Sequence, residues 1–134
     1  MGSEDIQARN DTPRVPAQFD QQKFITLETV RRSGKAVQTT VWFVEEGGLL
    51  YVTAPAHTGK VKRIRHTSQV RVVPCDSRGT STGTWVSAEA RLLDGQEAER
   101  ADRLLRRKYG WQKRLVDLFG RFKKWESALV EIRL

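Results

Sequence analysis

The chain has 134 residues, 38% apolar and 30% charged, with a formal net charge of +8, a length that suits one domain able to bury a single core without staples. No apolar run approaches the ~18–20 residues needed to span a bilayer as a helix, and no signal-peptide core is present. The lone Cys75 excludes an intramolecular disulfide and a Cys-rich metal site, so a cytoplasmic protein without a metal is expected.

Residues 1–18 are polar, contain Pro13 and Pro16, and read as a flexible arm ahead of a folded domain at 19–134. Residues 24–32 are β-rich and end at Ser33-Gly34-Lys35, a hairpin turn by composition. Residues 36–45 place Val37, Thr39, Val41 and Phe43 on one face and Gln38, Thr40, Trp42 and Val44 on the other. Gly47-Gly48 then turns the chain into a strand at 49–53. The segment 58–66, Thr-Gly-Lys-Val-Lys-Arg-Ile-Arg-His, predicts a short basic helix. Thr58 can cap it by accepting a backbone N–H, and Val61 and Ile64 anchor it at i, i+3 spacing.

Residues 69–75 form the next strand, with Val70 and Val72 opposite Arg71 and Val73. A polar loop at 76–83 leads to 84–93, where Val86, Ala88, Ala90 and Leu92 alternate with Trp85, Ser87, Glu89 and Arg91. Asp94-Gly95-Gln96-Glu97 is an acidic version of the capping box. It predicts a helix that buries Ala98, Ala101, Leu104 and Leu105 and stops near Gly110. Trp111, Leu115, Leu118, Phe119 and Phe122 continue at helical spacing, a stripe better suited to core or dimer contact than to a cofactor. The end of the chain, 125–134, alternates as a terminal strand. Short strands joined by hairpins, with a few inserted helices, indicate a mainly β fold, a small antiparallel barrel. Side chains fill such a barrel, so a ligand is expected outside it, in a groove shared between subunits.

The basic helix carries the clearest chemistry. No Asp or Glu occurs from 47 to 75, so Lys60, Lys62, Arg63, Arg65 and Arg71 have no local counter-charge. Lys60 and Lys62 fall in the first turn, where the macrodipole disfavours cations. Uncompensated cations beside free backbone N–H groups form an anion site, most often for phosphate. The competing reading is a solvated helix, basic because the whole protein is basic. Other site signals are missing: there is no Ser/His/Asp set, no His/Glu metal spacing and no GxGxxG opening a βαβ unit. His57 and His66 flank the helix and read first as surface or capping histidines. Cys75 reads as a small buried side chain.

Taken in order, Thr39-Thr40-Val41-Trp42-Phe43, Leu50-Tyr51-Val52-Thr53 and the basic helix resemble a known group. They are similar to the split β-barrel flavin and deazaflavin oxidoreductases related to pyridoxamine 5′-phosphate oxidase. Val73-Pro74-Cys75-Asp76-Ser77-Arg78-Gly79 with Gly83-Thr84-Trp85-Val86 resembles the actinobacterial branch that uses coenzyme F420, a deazaflavin. The resemblance covers residues 23–134 and implies a homodimer with the cofactor at the subunit interface. It also implies that Thr39, Thr40, Val41 and Trp42 meet the pyrimidine end of the ring, largely through backbone groups. Thr53, Thr58, Lys60, Lys62 and Arg63 would hold the phosphate, with Thr53 assigned by the resemblance alone. Arg78 and Trp85 would lie near the interface and reach the partner subunit's cofactor. Trp42 either stacks near the ring or joins the core.

The implied activity is hydride transfer between reduced coenzyme F420 and an organic acceptor, with catalytic side chains unassigned. FMN is the rival cofactor, because its phosphate suits the same cations; the longer anionic tail of coenzyme F420 favours the longer basic track. A haem-binding split barrel is disfavoured, as neither histidine sits in an obvious ligand environment. A nucleic-acid-binding β-barrel is the alternative from a different class, and its signature would be exposed aromatics beside the basic residues.

Overall fold

The computed structural model describes residues 16–56, 58–110 and 127–134. Its six strands are β1 (Phe24–Val30), β2 (Ala36–Glu46), β3 (Leu49–Pro55), β4 (Gln69–Cys75), β5 (Val86–Leu93) and β6 (Ser127–Arg133). They close as an antiparallel barrel in the order β1-β2-β3-β6-β5-β4. Helix α1 (Gly59–His66) follows β3, α2 (Gly95–Tyr109) follows β5, and a 3-10 turn at Ala17–Phe19 precedes β1.

Period-2 patterning sets the inside of the barrel. Ile25 and Leu27, Val41 and Phe43, Leu50 and Val52, Val70 and Val72, and Val130 and Ile132 all join one core, together with Ala88 and Ala90 of β5. Phe19 and Ile64 add to this core from the 3-10 turn and from α1. Each large side chain buried here contributes about 1.5–3 kcal/mol. A second cluster forms where α2 lies on the outside of the barrel, with Ala101, Leu105 and Tyr109 against Tyr51 and Leu129. Gly47 and Gly48, at φ of 63° and 83°, supply the two left-handed positions of the tight β2–β3 hairpin.

The alternation expected for residues 36–45 and 84–93 is observed in β2 and β5. In contrast, β1 is buried on both faces from Ile25 to Thr29, and Val73, expected opposite Val70 and Val72, is buried with them. Helix α2 buries Ala101 and Leu105 and ends at Gly110 as its pattern implied. The capping box does not form. Asp94 is the N-cap residue but makes no side-chain cap bond, and the Glu97 carboxylate is instead held by Arg91 at 2.8 Å. Arg91 also reaches Glu131 of β6 at 3.1 Å, so an ion-pair group outcompetes the local cap. Of the segment expected as an arm, residues 1–15 lie outside the description. Gln18, at its end, is bonded through its side chain to the Thr84 N–H at 2.7 Å and the Thr84 carbonyl at 2.8 Å. The stripe from Trp111 to Phe122, and His57, also lie outside the described residues.

One feature of the ladder positions the site. β2 pairs with β1 from Ala36 to Trp42 but with β3 only from Phe43 to Glu46. Beyond Val52, β3 pairs with β6 alone, through Thr53, Ala54 and Pro55. The barrel therefore splits between β2 and β3, and the far edge of residues 36–42 has no strand partner among the described residues.

Candidate functional site

Backbone groups alternate in direction along a strand. The N–H and C=O of Phe43 face the β1 side, where Tyr109 and Lys108 meet them. By that alternation Val41 and Thr39 also turn theirs to β1, and Thr39 adds a long side-chain bond to the Leu27 carbonyl at 3.5 Å. The backbone groups of Trp42 and Thr40 point to the open edge. Of the four expected ring-edge residues, two thus offer free backbone donors and acceptors. The side chain of Val41 is buried in the barrel. Trp42 stacks on Tyr109 at 4.8 Å and 12°, so one face of its indole is already covered.

The next register position past the Phe43–Val52 pair would set Thr53 opposite Trp42. The Thr53 hydroxyl is buried and has no hydrogen-bond partner. A buried hydroxyl left unpaired at the split is a cost that a ligand could remove.

From β3 the chain enters α1, which buries Val61 and Ile64 as expected. Thr58 takes the N-cap position with φ −72° and ψ 158° but makes no side-chain cap bond. Its hydroxyl donates instead to the Pro55 carbonyl at 2.8 Å, closing the preceding turn. The expectation that Thr58 caps by accepting an N–H is therefore corrected. The consequence is an uncapped helix start, with first-turn N–H groups still available.

Two cations gather at that start. Lys60 is half-buried, and burial together with Arg63 lowers its pKa from the usual lysine value. Burial and the neighbouring Arg31 likewise lower that of Arg63. Arg63 donates from Nε to the buried Thr29 hydroxyl at 2.6 Å, and its Nη1 lies 2.6 Å from where a Cβ on Gly59 would stand. Its guanidinium is thus folded back over the first residue of its own helix. Lys62 and Arg65 are exposed. None of Lys60, Lys62, Arg63, Arg65 and Arg31 forms an ion pair among the described residues.

Arg71 differs from the sequence expectation. It pairs with Glu28 of β1 through two bonds, at 2.6 and 3.0 Å, and that contact holds the Glu28 carboxyl below its usual range. Gln38 completes the group with a bond to Glu28 at 3.1 Å, while the Arg71 guanidinium stacks 4.7 Å above the Trp85 ring. Arg71 is a structural cation, and Trp85 is engaged on one face by it. Arg78 is exposed in the β4–β5 loop, where Asp76 accepts bonds from the Arg78 and Thr80 N–H groups at 2.9 and 3.0 Å. Gly79, next to Arg78, approaches the open-edge residue Thr40: a Cβ there would stand 2.8 Å from the Thr40 hydroxyl.

The residues present suit a phosphate-bearing planar cofactor by three observations: the orphaned Thr53 hydroxyl, the unneutralised cations at an uncapped helix start, and a free strand edge. Sequence reasoning missed Thr29, Gly59 and Arg31, which act on the site only through folding. A separate pocket of about 350 Å³, lined by Phe19, Gln21, Phe43, Glu45 and Lys108 among others, contains none of the expected site residues. No group of three or more His, Cys, Asp or Glu among the described residues could hold a metal ion. No described helix is long and apolar enough to cross a membrane.

No protein-family model and no curated protein sequence matches the chain. Solved structures do. The heme storage protein HutZ from Vibrio cholerae aligns with a TM-score of 0.66 at 13% identity, over 84% of this chain and 82% of that one. A putative pyridoxamine 5′-phosphate oxidase from Listeria innocua aligns with a TM-score of 0.57 at 15% identity, covering 98% and 92%. An F420-H2 dependent reductase, FDR-A, aligns with a TM-score of 0.61 at 17% identity, covering 83% and 94%. The chain shares the split β-barrel fold of these structures.

Proposed function

We propose that this chain is an oxidoreductase that binds reduced coenzyme F420 along the split edge of its barrel and serves hydride transfer to an organic acceptor. The carrying observation is the cluster of Lys60 and Arg63, unneutralised and partly buried, at the uncapped start of α1. Partly buried like charges are costly unless an anion joins them, and a phosphate does so with charge-assisted bonds. When bound, the deazaflavin supplies the hydride; the chain positions it and excludes water. Lys60, Lys62 and Arg63 hold the phosphate, with the hydroxyl of Thr53 as a further donor. The backbone of Thr40 and Trp42 meets the edge of the ring. A second copy of the chain completes the groove as a homodimer and brings Arg78 and Trp85 to it.

Among the described residues no aromatic side chain is fully exposed, so none of them offers the open stacking platform that favours a nucleic-acid-binding barrel. FMN remains the rival ligand within the fold. The deazaflavin should bind at least about tenfold more tightly, about 1.4 kcal/mol, because more of its anionic groups can reach the basic helix. Equal or tighter FMN binding in a fluorescence titration moves the assignment to a flavin enzyme. Lys60→Ala should weaken deazaflavin binding about ten- to a hundredfold, the loss of a charge-assisted bond of roughly 1.5–3 kcal/mol. Folding should hold, since the substitution also relieves the Lys60–Arg63 repulsion. Binding should weaken as salt rises. Arg133→Ala, an exposed cation on β6, is the control; equal loss in both variants leaves only bulk charge as the cause.

A further inference from the structure

Thr29 is 1% exposed, at the end of β1. Its hydroxyl faces α1 and accepts from Arg63 Nε at 2.6 Å, across 34 residues of sequence. An arginine with that bond alone could still rotate its outer nitrogens. Gly59 makes room for the fork on the other side, because the Arg63 guanidinium occupies the space a side chain would need: Nη1 would stand 2.6 Å, the central carbon 3.5 Å and Nη2 3.8 Å from a Cβ there. The guanidinium thus runs from the barrel wall to the first residue of α1. Nε is spent on Thr29, while Nη1 and Nη2 keep four N–H groups beside the uncapped helix start. Planar forks of this kind match two oxygens of a phosphate.

We infer that Thr29 and Gly59 are positioning residues that preset the Arg63 fork for a phosphate monoester or diester, an inference that rests on the anion-site reading above. Holding the fork in place before binding removes part of the ordering cost that a long, free side chain would lose on contact. Thr29 never touches the ligand; it acts through Arg63. Gly59 acts by having no side chain. The two residues are therefore separable from the charge itself, which Lys60 and Lys62 also supply.

The test is a set of double-mutant cycles on the full chain, read as deazaflavin affinity by fluorescence titration beside thermal stability. Gly59→Ala is the decisive variant, since it improves helix propensity yet its Cβ must push the Arg63 guanidinium aside. Affinity should fall about three- to tenfold while stability holds or rises, a combination that damage to the fold does not produce. Thr29→Val should give a similar loss of affinity, and Thr29→Ser should retain it. In an Arg63→Ala background, neither Gly59→Ala nor Thr29→Val should weaken binding further. If Arg63→Ala leaves affinity unchanged, the anion-site reading fails. If Arg63→Ala weakens binding but Gly59→Ala and Thr29→Val do not, or if their effects add fully to that of Arg63→Ala, the site stands and the positioning role is overturned.

Discussion

Replacing Tyr109 with phenylalanine isolates one hydroxyl at the point where the sheet lacks a strand. β1 starts at Phe24, opposite Trp42, so Phe43 of β2 has no β1 residue facing it. The end of α2 fills that gap. The Tyr109 hydroxyl accepts the Phe43 N–H at 2.8 Å and bonds the Lys23 carbonyl at 2.7 Å. The Lys108 ammonium donates to the Phe43 carbonyl at 2.8 Å and caps the Phe43 ring at 4.0 Å. Tyr109 is 6% exposed and Phe43 1%, so water does not readily replace the lost partner.

In Tyr109→Phe the Phe43 carbonyl keeps its lysine, and the carbonyl of the exposed residue Lys23 can turn to solvent. The Phe43 N–H is stranded. A buried donor without a partner costs about 1–3 kcal/mol, and the stack on Trp42 survives because the ring is kept. The expected loss is about 2 kcal/mol, or roughly 1 M in the urea midpoint at a slope typical of a small domain. Equilibrium urea unfolding, followed by tryptophan fluorescence, measures it. The slope should stay the same, since no new surface is exposed. A midpoint shift below roughly 0.3 M would show that water reaches Phe43, and the strand-substitute role of α2 would fall.

Burial pushes the Lys108 ammonium down to about 8 from the usual 10.5, so between those values the unfolded chain binds more protons and stability rises with pH. After discounting for partial exposure the rise is about 1 kcal/mol from pH 8 to pH 10; Lys108→Met should abolish it, and identical pH curves for the two proteins would refute it. Above pH 10 the phenol of Tyr109, raised by burial, works in the opposite sense, because the unfolded tyrosine ionises first. Gly79 has φ of +86°, so Gly79→Ala should cost about 1–2 kcal/mol from backbone strain alone. Adding Thr40→Ala should recover only the part due to the close contact; an unchanged melting temperature in Gly79→Ala would mean the loop does not hold this conformation.

Strands and core were readable in the sequence because a barrel interior samples every second residue, so the period of Val70, Val72, Val86, Ala88, Val130 and Ile132 maps directly onto burial. What failed was of another kind. Arg71 looked unpaired because its stretch of chain has no acid, yet strand pairing brings Glu28 to it from 43 residues away. Both cap expectations missed long-range or turn partners, with Glu97 held by Arg91 and the Thr58 hydroxyl donating to the Pro55 carbonyl, while the Asp94 side chain makes no cap bond. The contact of Phe43 with Tyr109 spans 66 residues and left no local signature. Short-range pattern records which face a residue occupies. It does not record which partner waits there.

That distinction separates the cations of this chain by role. Arg71 and Arg91 each meet carboxylates from other strands or from α2, so folding consumes their charge. Lys60 and Arg63 meet a hydroxyl, each other and Arg31, and folding leaves their charge unspent. Lys60 in the first turn opposes the macrodipole, the Arg63 guanidinium folds back from the last turn to lie over Gly59 beside it, and burial lowers the pKa of both. The helix is held in spite of this by Val61, fully buried, and Ile64, 5% exposed. An apolar anchor that tolerates adverse charge lets the fold keep a site whose electrostatic complement comes from outside the chain. The same anchor explains why removing Lys60 should weaken a ligand without weakening the fold.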